Sequence, residues 1–333
     1  MDLLLLPELK KLIDCEEMQL KKFALYLTGL LLLAVFDLSA AQAEKFIPSS
    51  SPMVIRLDAN RLLKMPIRNM LDKKNPAIQK FITQWEQIEK SAAANGIDLQ
   101  KLFADNIWIA QTGQTTQESG AYFNTLIPEQ QLSAALQKEG FSPQDIDGRK
   151  VYMRQDTAIT YLTGDVILFV RNNNNLPLVL TASLQSSGNM LTKSLDCTGL
   201  LAAVCDVSKV KQAAQAAKAN SKVQYFTARV DLTGKEPMAL DIDTVITFRK
   251  AKDAMKSGMQ IQLAVPGIVG MLLSNDDKLM TAVLENFKVM PQDKNLQISF
   301  DLSGQLIRRL IKYFENPANR PRIPAAPAAQ SNN

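Results

Sequence analysis

The chain has 333 residues, 38 lysines and arginines against 33 carboxylates, and no histidine. Without an imidazole it cannot build a Ser-His-Asp or Cys-His catalytic system, and its three cysteines are too few for a four-cysteine zinc site. The net charge of +5 is spread along the chain rather than gathered in the basic stripe of a nucleic-acid-binding protein.

Residues 18–43 have the pattern of a secretory signal peptide. Lys21 and Lys22 form its basic start, the uncharged run 23–36 its apolar core, and Ala41-Gln42-Ala43 its small-residue cleavage site. We therefore predict cleavage between Ala43 and Glu44, and a periplasmic or extracellular protein. The alternative is a retained membrane-spanning helix, which needs about 20 apolar residues, and this run is shorter.

Residues 1–17 precede the predicted signal and carry several carboxylates, which a signal n-region normally lacks. We interpret them as an upstream extension, with translation starting at Met18. A genuine amphipathic leader is the alternative.

A Pro/Ser-rich linker is predicted at 44–52, and a first lobe at 53–190. Its predicted strands are 53–58, with Met53, Ile55 and Leu57 on the apolar face, then 106–113 and 119–126, and a three-stranded meander over 148–171. Helices are predicted at 59–74 (bent or broken near Pro66), 76–96, 97–103, 128–140 and 176–188, with glycines ending several of them.

A second lobe is predicted at 191–315, followed by a disordered Pro/Ala-rich tail at 316–333. Its predicted strands are 200–207, 223–232, 238–248 and 296–302, and its predicted helices are 208–220, 250–274, 276–287 and 303–316. Because the strands alternate apolar and polar residues, each buries one face, which is typical of antiparallel sheets. The predicted fold class is α+β.

The two lobes have the same order of elements. Both begin with a strand, an aspartate, a capping residue (Asn60 or Ser208) and a helix. We therefore predict two related lobes, each an antiparallel sheet with helices packed on one face.

The segments 120–170, 200–210, 245–265 and 284–311 resemble, in pattern and order, exported two-lobed α+β proteins of Verrucomicrobia, Planctomycetes and Lentisphaerae-type bacteria. The resemblance covers most of residues 50–315 without a signature motif. It implies the fold and the compartment and assigns no site residue.

Two cysteines of the second lobe, Cys197 and Cys205, lie eight positions apart in a chain predicted to enter an oxidising compartment. A disulfide between them is one interpretation. Two buried thiols are the other.

Four aspartates of the second lobe form the main candidate constellation. Asp241 and Asp243 share one face of a predicted strand, Asp231 lies on its neighbour, and Asp301 ends a further strand. Carboxylates on neighbouring strands can bind calcium or act as a catalytic pair. An ordinary solvated sheet face is the competing interpretation.

The most apolar segment after the signal is 259–273, which contains Pro266-Gly267 and is too short to span a bilayer. It is either a surface helix that walls an apolar ligand or touches a membrane, or a core helix packed on the sheet. Trp85 and Trp108 are interpreted as core residues rather than sugar-stacking platforms. A base built from Lys150 with Tyr152 or Tyr161 is discarded, because no nucleophile motif accompanies it.

We expect an exported, non-catalytic protein of the cell envelope that acts by binding or as a structural partner. Its partner would be an envelope protein, lipid or polysaccharide; no cofactor, metal or nucleic acid is expected. Two alternatives stay open. A periplasmic carrier would need an apolar cavity, and a polysaccharide hydrolase would need two carboxyl groups about 5–9 Å apart.

Overall fold

The computed structural model describes residues 43–65, 76–112, 118–210, 222–233, 239–316 and 319. The chain divides into two compact units, Met1–Lys193 and Ser194–Asn333, and the predicted lobe boundary lay after residue 190. The predicted signal peptide up to residue 42, the bend near Pro66, most of the helix at 208–220 and nearly all of the C-terminal tail lie outside the described residues.

The described part of the first unit contains seven strands and five α-helices. The strands are β1 (Met53–Asp58), β2 (Asn106–Gln111), β3 (Ser119–Asn124), β4 (Ser142–Ile146), β5 (Arg149–Arg154), β6 (Thr157–Tyr161) and β7 (Val166–Val170). The helices are α1 (Ala59–Lys64), α2 (Pro76–Ala94), α3 (Leu99–Leu102), α4 (Glu129–Lys138) and α5 (Leu176–Leu184). Neighbouring strands pair antiparallel in the order β1-β2-β3-β7-β6-β5-β4.

The described part of the second unit contains five strands and three α-helices. The strands are β8 (Leu201–Asp206), β9 (Val223–Thr233), β10 (Ala239–Phe248), β11 (Phe287–Gln292) and β12 (Asn295–Leu302). The helices are α6 (Ala251–Leu272), α7 (Asp277–Glu285) and α8 (Gly304–Glu315). The strands pair antiparallel in the order β8-β9-β10-β12-β11, and the helices pack on one face of this sheet.

The two units share one topology. In each, the first three strands form a meander, and a helical segment follows. The last strand of the unit then pairs with the third strand, and the strands that precede it in the chain continue the sheet on its other side. After the meander, the first unit has four more strands and the second unit has two, and a helix follows the last strand in both. The fold is therefore α+β with two related lobes, as the sequence predicted.

In the first unit the residue that caps the helix after the first strand differs from the prediction. Asp58 itself caps α1, accepting a hydrogen bond from the Arg61 backbone N–H at 2.9 Å. In the second unit Asp206 accepts a hydrogen bond from the Ser208 N–H at 3.1 Å, and most of the helix predicted after it lies outside the described residues. The predicted cap Asn60 instead donates its side-chain amide to the Ala104 carbonyl. A carboxylate is the stronger acceptor for these unpaired amides.

Two details of the first sheet were wrong in the prediction. Strand β1 buries Val54 and Arg56 as well as Leu57, because both of its faces are covered, whereas the alternation predicted only one. Strand β4 was missed altogether. Its residues are mostly exposed and include Pro143, which the strand tolerates because it is at the end of the sheet order, where one side is unpaired.

Residues 44–52 are not a free linker. Ile47 and Ser51 are buried against the first unit. The Asn189 side-chain amide donates hydrogen bonds to the carbonyls of Pro48 at 2.6 Å and Ser51 at 3.1 Å. Proline and serine suit this segment because its carbonyls, rather than a regular ladder of N–H groups, are hydrogen-bonded.

Candidate functional site

The described residues present two candidate surfaces, both in the second unit. The first is the acidic row, which consists of Asp231, Asp241 and Asp301. The second is the apolar ridge, which consists of Met255, Met259, Leu263 and Met271 on helix α6.

The acidic row lies straight across three neighbouring strands. Asp241 on β10 pairs in register with Asp231 on β9 and with Asp301 on β12. The opposite face of the same strands carries the apolar residues under the helices. The alternation in the sequence therefore placed these carboxylates correctly on one face.

Arg229 forms ion pairs on this face, and the sequence reasoning did not single it out. Its Nη2 lies 2.6 Å from Asp241 Oδ2 and 2.5 Å from Asp243 Oδ2, and its Nε lies 3.5 Å from Asp196 Oδ2. Asp243 is directly opposite Arg229 in the strand register. The available signal was that Arg229 is the only basic residue of strand β9.

The carboxyl of Asp241 lies in surroundings that raise its pKa. Burial raises the pKa of Asp241 above its ordinary value, and the guanidinium of Arg229 opposes that effect. A hydrogen bond with Asp301 and the charges of Asp243 and Asp301 raise it further. The Asp243 hydrogen bond in turn raises the pKa of Arg229, which keeps its charge.

This arrangement supports a structural role. Asp241 and Asp301 are within hydrogen-bonding distance, much closer than the roughly 5–9 Å between the carboxyl groups of glycosidases. Among the described residues, no group of three or more acidic or cysteine side chains is arranged to hold a metal ion. Within the row, Asp241 is ion-paired with Arg229.

Cys197 and Cys205 are reduced thiols in the structure, so the predicted bridge is not formed there. The neighbours of Cys197, Asp196 and Thr198, contact Arg229. Cys197 is exposed, and Cys205 is half-buried on β8. The bridge stays a prediction of the sequence.

If the predicted signal peptide is cleaved, we expect the protein to begin at Glu44, and we expect it to contain two thiols that react at different rates. Burial raises the pKa of Cys205 to about 11, so it should react with iodoacetamide at least about tenfold more slowly than the exposed Cys197. Intact mass spectrometry after timed alkylation measures both points. A chain lighter by two hydrogens and inert to alkylation would establish the bridge, and an N-terminus at Met1 would contradict the predicted cleavage.

The aromatic residues considered in the sequence lie inside the first unit. Trp85, Trp108 and Tyr152 are buried, so the tryptophans are core residues as predicted and do not form a sugar-binding platform. Burial also raises the pKa of Tyr161 far above its ordinary value. A tyrosine held this firmly in its neutral form is a poor base.

Helix α6 packs on the second sheet through one side only. Ala254 is fully buried in a cluster with Phe248, Val289 and Leu296. Gly258 allows close approach, since a Cβ there would lie 3.0 Å from the Leu296 side chain. Within 259–273, Leu273 is buried, and Ile261 and Val269 are half-buried against the hydrophobic clusters, so the interpretation as a core helix is correct for these residues alone.

The other side of α6 carries the apolar ridge. Leu263 is 82% exposed, Met271 64%, Met259 58% and Met255 55%. Met255, Met259 and Leu263 lie on successive turns of the helix, four residues apart, and Met271 lies about two turns beyond Leu263. Sequence reasoning included three of them in an apolar segment but could not say which side chains face outward. Met255 lay outside that segment.

Basic residues gather at the N-terminal end of the ridge. Arg249, Lys250, Lys252 and Lys256 are all exposed. The nearby Asp253 is buried and paired with Lys222, with Nζ and Oδ1 3.2 Å apart. From Ala254 to Asn275 the chain has no carboxylate. The ridge is therefore apolar along its length and positive at one end.

Two further features bear on the alternatives. A recess of about 290 Å³ on helix α7 is open to solvent and is lined by Asp277, Lys278, Thr281, Ala282 and Glu285. It is open to solvent, unlike the enclosed apolar cavity that a carrier requires. Within the described ranges, no helix has the length and apolar character needed to cross a bilayer.

Comparison with models of known protein families and with curated proteins gives no match. Among solved structures, the chain is similar to crystal forms III and I of TP0453. Form III has a TM-score of 0.45 and 9% identity over 81% of this chain and 97% of that one. Form I has a TM-score of 0.43 and 8% identity over 82% and 97%. These similarities concern the path of the backbone alone.

Proposed function

We propose that this protein is an exported, non-catalytic binding protein of the cell envelope that docks on an anionic membrane surface through the apolar ridge. The observation that carries the proposal is the exposure of four large apolar side chains along one helix, with lysines at its end. Contiguous exposed apolar surface of this kind marks binding sites in soluble domains.

The geometry of α6 fits a helix lying in the plane of a membrane interface. Such helices bury one apolar side in the lipid boundary and place lysines beside it. Transferring an exposed leucine or methionine out of water contributes about 1–2 kcal/mol, and each lysine near an anionic leaflet contributes about 1 kcal/mol. The ridge has four such apolar residues, and Lys252 and Lys256 project from the same helix.

The charge distribution favours anionic lipid as the occupant. Helix α6 has no exposed carboxylate, so it offers no site for the basic residues of a protein partner. Long, flexible methionine side chains adapt to an irregular surface rather than fixing one complementary shape.

The envelope location rests on the sequence. The basic start, apolar core and Ala41-Gln42-Ala43 site of residues 18–43 support export, and so does the resemblance to exported two-lobed proteins of Verrucomicrobia-type bacteria. We include membership of that group in the proposal.

Vesicle co-sedimentation of the exported chain tests the proposal. We expect binding to vesicles that contain phosphatidylglycerol, with weak binding to pure phosphatidylcholine and a decrease at high salt. Leu263→Gln should weaken partitioning about tenfold. The matched control is Leu178→Gln on α5 in the first unit, where the leucine is 49% exposed. Equal losses in both variants, or binding indifferent to lipid charge, would contradict the proposal.

A further inference from the structure

Three of the four residues of the apolar ridge are methionines. Met255, Met259 and Met271 are more than half exposed, whereas Met280 on the neighbouring helix is half-buried against the core. An exposed thioether is open to two-electron oxidants, and an enclosed one is shielded from them. The ridge thus concentrates oxidisable sulfur on the surface proposed to enter the membrane.

We propose that the ridge methionines are an oxidation site at which peroxide releases the protein from the membrane. This inference rests on the proposed function. The sulfur lone pair of a methionine attacks one oxygen of hydrogen peroxide, an S–O bond forms and the O–O bond breaks. The hydroxide that leaves takes the proton from the transferred oxygen and departs as water. The sulfur is oxidised by two electrons to the sulfoxide, and the peroxide is reduced.

Methionine sulfoxide makes the side chains of the ridge polar and leaves the backbone of the helix unchanged. A sulfoxide oxygen is a strong hydrogen-bond acceptor, so moving it into the lipid boundary requires stripping its water. Oxidation of all three methionines leaves Leu263 as the one unmodified apolar side chain of the ridge. The lysines remain, and charge alone gives a weaker, salt-sensitive contact. A methionine sulfoxide reductase, with electrons from a dithiol, restores the thioether.

Two other exposed methionines provide internal controls. Met290 is 47% exposed and pairs with Gln297, which places it on the sheet face that carries the acidic row, away from α6. Met190 is 73% exposed in the first unit. Both should oxidise readily, and neither oxidation should affect docking.

The experiment treats the exported chain with graded hydrogen peroxide and then measures two quantities on the same samples. Peptide mass spectrometry gives the sulfoxide fraction at each methionine, and co-sedimentation with phosphatidylglycerol vesicles gives the partitioning. We expect oxidation of the three ridge methionines before Met280, and a loss of partitioning of about tenfold or more. Treatment with the reductase should recover it.

Two variants separate the ridge from the rest of the chain. In M255L/M259L/M271L the ridge stays apolar and cannot be oxidised, so peroxide should change its binding less than about twofold. M190L/M290L should behave as the unaltered protein does. Equal peroxide sensitivity in both variants, or complete ridge oxidation without release, would overturn the inference.

Failure of the proposed function gives a different result. If untreated protein does not bind the vesicles, membrane docking is wrong and oxidative release is wrong with it. The oxidation order is still read from the mass spectra in that case. Oxidation of Met280 at the same rate as the ridge would overturn the oxidation site itself.

Discussion

Replacing Arg229 with methionine is expected to lower the free energy of unfolding by about 2 kcal/mol. The change removes the guanidinium that contacts Asp241 at 2.6 Å and Asp243 at 2.5 Å, while an unbranched apolar stem remains to pack. These carboxylates are only 27% and 28% exposed, so solvent screens them incompletely. Urea unfolding followed by circular dichroism should show a lower midpoint with an unchanged slope.

Asp301→Asn is the matched variant, and its effect on the free energy of unfolding is expected to be opposite to that of the Arg229 substitution. It removes one negative charge beside Asp241 and replaces the carboxyl with an amide that can donate the hydrogen bond between them. We expect the free energy of unfolding at neutral pH to rise. If both variants matched the unaltered protein, the acidic face would be an ordinary solvated surface.

The pH dependence of stability follows from the same contacts. Because the pKa of Asp241 is raised in the folded protein, the native state holds this proton more tightly than the unfolded chain does. Its stabilising contribution is therefore complete at acidic pH and is lost as the pH rises through the folded pKa. Asp301→Asn removes one cause of the raised pKa, so its stability should fall less between mildly acidic and neutral pH.

Leu296→Ala is expected to lower the free energy of unfolding by about 3 kcal/mol. Leu296 is fully buried on β12, beneath Gly258 of helix α6, in a cluster with Phe248 and Val289. Truncation leaves a cavity where α6 packs on the sheet. Because the close approach at Gly258 depends on this side chain, the helix has few other atoms with which to fill the space.

Ile311→Ala on α8 is the control for this prediction. Ile311 is 40% exposed, and its truncation should cost about 0.5 kcal/mol. Urea unfolding of both variants measures the difference. A loss at Leu296 no larger than that at Ile311 would mean that α6 is not held in place by this contact.

Local sequence patterns predicted most of the elements. Helix α2 ends where Asn95-Gly96 predicted, with Gly96 at a φ of 66°, and Gly140 follows α4 at a φ of 86°. The strongly alternating strands β9 and β10 were also predicted, because their period of two is visible without tertiary context. Strands β4 and β11 were missed because each has mostly exposed residues and an internal proline, and so lacks such alternation.

The candidate surfaces were only partly predictable. Alternation fixes the face of a strand on which a residue lies, so the aspartates could be assigned to one face. Register decides which residues are direct neighbours, and it alone brought Arg229 between Asp241 and Asp243. The distance between Cys197 and Cys205 likewise depends on where the chain runs before β8, which spacing in sequence does not specify.

The amino-acid sequence by itself determined which catalytic side chains are available and which segments alternate between apolar and polar residues. With no histidine, imidazole-based catalysis is excluded whatever the fold. The tertiary structure decided which apolar residues are covered. Helix α6 is apolar on both sides, so its sequence could not reveal that Ala254 packs on the sheet while Leu263 faces water. Burial is a property of the residues that surround a side chain, and those neighbours come from distant parts of the chain.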